Sequence, residues 1–418
     1  MKIVALNTSD RTGGAAIAAN RLMKALIKND IKIKTLVLIK ETKDENVMTI
    51  QSSFLNRQLA RIKFFWERWI IFVYNRFSRK NLFKVSIANT GFDIARLPLV
   101  KDADIIHIHW INQGLLSLRD LEKLAALGKP VVWTMHDQWA YTGICHYTSG
   151  CDKFINVCTF CPQLTCAKKH DLSYLVFKQK EKLYQSNAIT FVGCSQWITN
   201  EAKRSNLCKK YNILSIPNPI DMKIFKVIDK LSARKNLGLP ENKKLLLFGA
   251  ANITDKRKGI YYLIDACNEL IKQSLHSELG LVVFGHAKTE YKQLIKIPVY
   301  SMGYMTDPGE IVMLFNAVDL FVIPSLEENL PNTIMESMAC GTPCVGFHVG
   351  GIPEMIDHKQ NGYVAEYKNS KDLAEGIHWV LNKADYNELS TNARTKIEST
   401  YREDIVAKQY IELYKKIL

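Results

Sequence analysis

The chain has 418 residues, of which 47% are hydrophobic and 23% are charged, and this composition excludes a disordered protein. The length is enough for two domains. No apolar run reaches the roughly 18 residues that a membrane-spanning helix needs. The sequence opens on a strand-like run without a secretory leader, so we expect a cytoplasmic protein whose ten cysteines are reduced.

The positive charge is concentrated in the first half of the chain. Residues 1–216 contain 32 Lys and Arg against 16 Asp and Glu, a difference of +16, whereas the remainder contains 24 and 25, a difference of −1. This uneven distribution of charge favours a binding surface for an anionic partner in the first half of the chain. The alternative is a basic surface that is simply solvated.

Apolar runs bounded by polar turns predict buried parallel strands in both halves of the chain. In the first half the strand-like runs cover 2–7, 31–39, 104–110, 129–136 and 188–195, and a helix-like segment covers 15–28. In the second half they cover 243–250, 279–285, 298–303, 318–325, 342–347 and 362–367, with a helix from about Gly259. Strand–helix alternation predicts an α/β chain with two Rossmann-like, doubly wound domains.

The domain boundary is predicted in the proline-rich segment 215–225, which no regular element can cross. We place an N-terminal domain at 1–216 and a C-terminal domain at 217–400. Residues 401–418 are predicted as a final helix that packs back toward the N-terminal domain.

A basic aromatic helix is predicted within 54–84. Apolar residues recur at helical spacing at Leu55, Leu59, Ile62, Trp66, Trp69 and Val73. Basic residues are interleaved at Arg57, Arg61, Arg68, Arg76, Arg79 and Lys80, and Glu67 is the only acid. This pattern suits the surface of an anionic membrane, and a helix packed into the core is an equal alternative.

Four cysteines follow a His-Asp pair in the spacing C-x5-C-x6-C-x2-C, at Cys145, Cys151, Cys158 and Cys161. They lie in a long polar loop, and four thiolates suit a tetrahedral structural zinc. Buried free thiols or a disulfide are the alternatives.

The strand at 318–325 is followed by a polar loop with Glu328 and then by a helix with Glu336 about one turn inside it. Pro331 suits the first position of that helix. Ligands of open α/β sheets bind at the carboxyl ends of the strands, and a helix start favours a diphosphate.

The E-x7-E spacing and the following residues 338–345 resemble the family-4 retaining glycosyltransferases of the GT-B fold. Further pieces occur in the family's order, at 12–14, 136–137, 217–221, 257–259 and 349–356. The stretch around the first cysteine is similar to the colanic-acid and exopolysaccharide-type subgroup.

The resemblance implies two domains facing a cleft, with the acceptor in the first and a nucleotide-diphosphate sugar in the second. It implies catalytic roles for His136, Glu328 and Lys258. It implies donor binding by Gly13, Gly14, Arg257, Lys258, Asn332, Thr333, Glu336, Gly351 and Glu354. The chain departs from the family at Ile253, where an arginine is common, so the lysine is the firmer assignment.

We therefore expect a retaining hexosyltransferase that adds sugar to a lipid-linked or polysaccharide acceptor in cell-surface glycan synthesis. Asp102 and Asp104 form a D-x-D, the motif by which another glycosyltransferase class binds a metal–nucleotide complex. Here the motif precedes its strand, at the end opposite the ligand-binding edge, so no catalytic metal is expected. The expected location is the inner face of the plasma membrane, bound peripherally, without nucleic acid. The rival interpretations are a nucleotide-sugar epimerase of related fold and a nucleic-acid-binding protein.

Overall fold

The computed structural model describes residues 1–185, 188–272, 278–286 and 294–418. The chain divides into two compact units. Unit 1 consists of Met1–Asn218 together with Val406–Leu418, and unit 2 consists of Pro219–Ile405.

Unit 1 is built on a parallel sheet of seven described strands. They are β1 (Lys2–Ser9), β2 (Lys32–Ile39), β3 (Val47–Thr49), β4 (Ile105–Ile108), β5 (Val131–Met135), β6 (Ile189–Gly193) and β7 (Ile213–Ser215). Their order is β3-β2-β1-β4-β5-β6-β7, and every pairing is parallel. All residues of β4 and β5 are buried, as expected for strands covered on both faces.

Helices connect these strands. They are α1 (Gly14–Ile27), α2 (Phe54–Tyr74), α3 (Pro98–Asp102), α4 (Leu118–Ala125), α5 (Leu172–Gln185) and α6 (Gln196–Arg204), with 3₁₀ turns at Trp139–Tyr141 and Lys153–Ile155. Ser117 begins α4 with a capping box, because its side chain accepts from the Asp120 N–H while the Asp120 carboxylate accepts from the Ser117 N–H.

Unit 2 is built on a second parallel sheet, of six described strands. They are β8 (Lys244–Asn252), β9 (Leu279–His286), β10 (Val299–Gly303), β11 (Leu320–Ile323), β12 (Cys344–Phe347) and β13 (Gly362–Ala365), in the order β10-β9-β8-β11-β12-β13. The helices are α7 (Lys230–Leu237), α8 (Ile260–Lys272), α9 (Pro308–Ala317), α10 (Asn332–Ala339), α11 (Ile352–Met355), α12 (Ser370–His378) and α13 (Tyr386–Thr400). A 3₁₀ turn covers Lys256–Lys258, and a π turn covers Trp379–Lys383.

The predicted two-sheet α/β fold is confirmed. Each strand-like run of the sequence contains a strand of the structure. The short edge strands β3 and β7 were missed, because three residues are too few to produce a periodic signal.

The last helix, α14 (Glu403–Ile417), begins in unit 2 and continues into unit 1. From Val406 onward its buried side chains join an apolar cluster with Ile3 and Ala5 of β1 and Val132 of β5. The Tyr414 hydroxyl lies 2.7 Å from His107 Nδ1, and the Tyr410 hydroxyl lies 2.9 Å from Thr134 Oγ1.

Helix α2 presents its apolar positions to solvent. Leu55, Leu59, Ile62, Trp66, Trp69 and Val73 are all exposed, so this side of the helix is not packed into the core. The sequence pattern puts Arg68 among the basic residues that suit a membrane surface, and for Arg68 this prediction is wrong. Arg68 lies on the buried side of α2, where it forms an ion pair with Glu67.

Among the helices of the described residues, none is long and apolar enough to cross a membrane.

Candidate active site

The predicted donor residues of unit 2 follow three neighbouring strands. The 3₁₀ turn with Arg257 and Lys258 follows β8, Glu328 follows β11 and Gly351 follows β12. Because β8, β11 and β12 are adjacent and parallel, their carboxyl ends place these residues along one edge of the sheet.

Lys258 and Glu328 form an ion pair at this edge. Lys258 Nζ donates to Glu328 Oε2 at 2.7 Å, and Arg257 Nη1 lies 3.8 Å from the same oxygen. Glu328 is only 8% exposed. Burial opposes its negative charge, but the Coulombic effect of Lys258 and Arg257 outweighs burial and lowers the pKa of Glu328. The carboxylate is therefore charged at neutral pH.

Backbone contacts hold the loops after β8, β11 and β12 together. The Arg257 carbonyl accepts from the Leu326 N–H at 2.7 Å, and Arg257 Nη1 donates to the Glu327 carbonyl at 3.1 Å. Gly350 has φ +58°, and a Cβ there would lie 1.7 Å from the Glu328 carbonyl oxygen. Only glycine fits this approach, which brings the loop before α11 against the Glu328 backbone.

The departure at Ile253 has a structural counterpart. Ile253 is buried in the apolar core of unit 2 and offers no cation to the edge. Arg257 supplies the second positive charge instead, since it contacts Glu328 beside Lys258.

Helix α10 carries the remaining predicted donor residues of its segment. Asn332 and Thr333 form its first turn, and Glu336 lies one turn inside and is buried. The helix begins one residue later than predicted, because Pro331 occupies the N-cap with an extended backbone. Gly351 is the N-cap of α11, which contains Glu354.

The predicted residues of unit 1 also share one sheet edge. Gly13 and Gly14 follow β1, and His136 follows β5, with β4 between these strands. Gly13 is the N-cap of α1 and has φ +94°, a conformation that suits glycine.

Three histidines are packed together at this edge. His109 Nδ1 lies 2.9 Å from His136 Nε2, and the rings of His107 and His109 are 4.1 Å apart. Burial lowers the pKa of His107 to about 3 and that of His136 to about 4, so both rings are neutral at pH 7. His136 Nδ1 lies 3.5 Å from Cys194 Sγ, so its ring nitrogens both have partners within unit 1.

Asp137 organises the neighbouring loop. Its carboxylate accepts from Trp110 Nε1 at 2.7 Å and lies 2.6 Å from His146 Nδ1. Burial opposes the charge, but His146 and the hydrogen bonds lower the pKa of Asp137. Sequence reasoning missed His109 as a neighbour of His136, and it missed Trp110 and His146 as partners of Asp137. The run 104–110 does carry a signal for His109 and Trp110. These two residues follow β4, which is adjacent to β5, and His136 follows β5.

Lys180 is a further buried cation in this loop region. Its ammonium group donates to the carbonyls of Trp139, Thr142 and Gly143, which fixes the backbone of the loop after His136. Desolvation lowers its pKa to about 7. No sequence pattern predicts its burial, because a lysine on a helix is ordinarily solvated.

The four predicted zinc ligands line one pocket. Cys145, Cys151, Cys158 and Cys161 are all free thiols, and burial raises the pKa of Cys158 to about 12 and that of Cys161 to about 11. In the part of the chain that the structure describes, no group of three or more His, Cys, Asp or Glu side chains is arranged to hold a metal ion. Zinc at these cysteines stays a prediction, which elemental analysis of protein purified without chelator tests.

Comparison with known proteins gives a family match over residues 242–383, to glycosyl transferases group 1. An uncharacterized glycosyltransferase of Methanocaldococcus jannaschii is 22% identical, over 80% of this chain and 90% of the relative. The putative colanic acid biosynthesis glycosyl transferase WcaC of Escherichia coli is 22% identical, over 77% of each chain. An N,N'-diacetylbacillosaminyl-diphospho-undecaprenol α-1,3-N-acetylgalactosaminyltransferase of Campylobacter jejuni is 33% identical, over 28% of this chain and 31% of the relative.

Among solved structures, HepE of Anabaena in complex with UDP and glucose matches 99% of both chains. The TM-score is 0.67 at 18% sequence identity, a likeness that concerns the fold. The chain thus has the GT-B fold of glycosyltransferases and carries a glycosyl transferases group 1 domain over residues 242–383.

Proposed function

We propose that the chain transfers a sugar from a nucleotide-diphosphate donor, with retention at the anomeric carbon, to a lipid-linked or polysaccharide acceptor of a cell-surface glycan. The observation that carries the proposal is the Lys258–Glu328 ion pair beside Arg257, at the carboxyl edge of the second sheet. Two cations at this edge suit a diphosphate, and a buried carboxylate next to them suits sugar hydroxyls.

The chemistry follows from these charges. As the bond between sugar and diphosphate breaks, negative charge develops on the phosphate oxygens. Lys258 and Arg257 are proposed to stabilise that charge, and the contacts of Arg257 with the loop after β11 support this role because they fix the turn that carries both cations. Glu336, one turn inside α10, is proposed to hold the ribose, and the start of α10 with Asn332 and Thr333 the diphosphate.

In unit 1, His136 is proposed to contact the reacting sugar or the acceptor. It can do so as a neutral ring, because burial lowers its pKa to about 4. The glycines that follow β1 are proposed to allow close approach of the donor.

The relatives support the class of donor and acceptor. HepE of Anabaena was solved with UDP and glucose, the Escherichia coli relative is named for colanic acid biosynthesis, and the Campylobacter relative is named for a diphospho-undecaprenol acceptor. We therefore propose UDP-sugars as the first donors to test and undecaprenyl-diphosphate sugars as the first acceptors.

The test begins with donor binding. Calorimetry with UDP-, GDP- and ADP-sugars is expected to identify one donor class, and Glu336→Gln is expected to weaken its binding about 10- to 100-fold through the loss of a charged hydrogen bond. Glu388→Gln, an exposed glutamate of α13, is the matched control. Unchanged affinity in Glu336→Gln would remove this residue from the site.

The second measurement is the reaction itself. NMR of the product with a lipid-linked acceptor is expected to show the anomeric configuration of the donor. An inverted product would refute retention, and turnover of the nucleotide sugar without any acceptor would favour an epimerase instead.

A further inference from the structure

One side of helix α2 exposes a continuous apolar surface. We name it the aromatic helix face, and it consists of Leu55, Leu59, Ile62, Trp66, Trp69 and Val73. Ile62 is 62% exposed, Trp66 51% and Trp69 53%, and the two indole rings stack with their centroids 5.2 Å apart. Monomeric soluble proteins rarely leave a patch of this kind uncovered, so the face indicates a binding surface.

The opposite side of the helix fixes this orientation. Glu67 and Arg68 are buried and form an ion pair of 2.8 Å. Glu67 Oε1 accepts from the Ile87 and Ala88 N–H groups, while Arg68 Nη1 donates to the Leu82 and Val85 carbonyls. A rotation of α2 that turned the aromatic helix face toward the protein would move Glu67 and Arg68 away from their buried backbone partners. The contacts of this pair therefore keep the aromatic helix face at the surface.

The charges around the face have one sign. Arg57, Arg61, Arg76, Arg79 and Lys80 are exposed on and just beyond the helix. Between Gln51 and Phe92 the only acidic residue is Glu67, which is buried and paired. An apolar surface bordered by cations, in a segment whose one acid is buried, fits a ligand that offers both hydrocarbon and negative charge.

We propose that the aromatic helix face docks on the surface of an anionic phospholipid bilayer, with α2 lying in the plane of the interface. Tryptophan is suited to the boundary between acyl chains and headgroups, and the flanking arginines are placed to contact lipid phosphates. A second copy of the chain fits less well, because pairing two such faces brings arginines together without an acid between them. The proposal does not depend on the proposed transferase function.

Sedimentation of the full chain with vesicles tests the proposal. We expect binding to phosphatidylcholine vesicles that contain about a third phosphatidylglycerol, much weaker binding to pure phosphatidylcholine, and loss of binding at 1 M salt. Arg57→Glu with Arg61→Glu is expected to reduce the partition coefficient at least ~10-fold, since each surface cation contributes to attachment. Trp66→Ser with Trp69→Ser is expected to abolish binding.

Two matched variants control for general effects. Arg119→Glu reverses an exposed charge of α4, and Leu175→Ser removes an exposed apolar side chain of α5. Both should bind anionic vesicles as the unmodified chain does. Because all substituted side chains are exposed, the melting temperature of each variant should be unchanged.

A spectroscopic readout locates the contact. Tryptophan emission should shift to the blue on anionic vesicles, and the shift should disappear in Trp66→Phe with Trp69→Phe. The proposal is overturned if the unmodified chain binds neither vesicle, if the tryptophan variants bind as it does, or if sedimentation shows a dimer that these variants dissociate.

Discussion

Lys258 has two candidate partners, the Glu328 carboxylate that it contacts in the structure and the diphosphate of the proposed donor. The pair keeps the buried Glu328 carboxylate charged, and it holds the Lys258 side chain at the sheet edge. A diphosphate would compete with Glu328 for the lysine, so substrate binding and the internal ion pair are linked.

Replacing the lysine separates these roles. Lys258→Met is expected to reduce the transfer rate about 100-fold, because one cation that stabilises developing phosphate charge is lost. Lys256→Met alters an exposed lysine of the same turn and should change the rate by less than about twofold. Steady-state kinetics with the donor found by calorimetry measures both, and equal rates in the two variants would exclude Lys258 from the chemistry.

The packed histidines predict how stability depends on pH. The folded-state pKa of His107 is about 3 and that of His136 is about 4, both below the ordinary value of 6.5. Between about pH 6.5 and pH 4 the unfolded chain therefore binds protons that the folded chain does not, and the free energy of unfolding falls as pH falls. Each such histidine can contribute up to about 1.4 kcal/mol per pH unit.

Urea unfolding of unit 1 at pH 7, 6 and 5, followed by tryptophan fluorescence, measures this decrease. A free energy of unfolding that is constant from pH 7 to pH 5 would show that these histidines are protonated in the folded chain. The Glu328 ion pair does not contribute in this window, because its lowered pKa places its loss below about pH 4.5.

At the scale of the elements, the sequence predicts position better than orientation. Apolar runs locate the long strands, since burial on both faces leaves a continuous signal, and Gly and Pro mark the ends of α10. Periodicity in α2 identifies an apolar side but not the side that faces the protein. The buried Glu67–Arg68 pair decides this, and pairing of two charges by tertiary contacts leaves no periodic pattern.

The same distinction applies to the site. The order of the motifs brings Arg257, Lys258 and Glu328 to one edge, because parallel strands align their carboxyl ends. The contacts of His136 with His109 and Cys194 come from three different strands of the sheet or their ends. Local sequence carries no information about such distances.

The ion pair of α2 gives a prediction for the helix. Glu67→Gln leaves the buried guanidinium of Arg68 without its counter-charge and is expected to lower the free energy of unfolding by about 3–5 kcal/mol. Arg61→Gln, on the exposed part of the same helix, should change it by less than about 0.5 kcal/mol. Denaturant unfolding of the two variants gives the comparison, and equal midpoints would mean that the pair does not anchor α2.

At the scale of the whole molecule, the chain begins and ends in unit 1. Residues 406–418 supply part of the core that covers β1 and β5, and their tyrosines hydrogen-bond to His107 and Thr134. The C-terminal residues are therefore part of the first unit's structure and not an appendage of the second.

Tyr414→Phe tests this attachment. The change leaves His107 Nδ1 without its hydroxyl partner in a buried place, and we expect a loss of about 1–3 kcal/mol in the free energy of unfolding of unit 1. Lys416→Ala, on the exposed side of α14, is the control. If the two variants unfold at the same denaturant concentration, the Tyr414 contact carries no net stability.

The return of the chain also sets an order for biosynthesis. All described strands of the first sheet leave the ribosome before Pro219, yet the residues that cover Ile3, Ala5 and Val132 are made only after unit 2. Unit 2 is continuous from Pro219 to Ile405, so it can fold before residues 406–418 are made. Until then, an apolar face of unit 1 remains exposed to solvent. A message cut short between Pro219 and Ile405 would thus yield a first unit without residues 406–418, whose uncovered apolar face is open to chaperones and proteases.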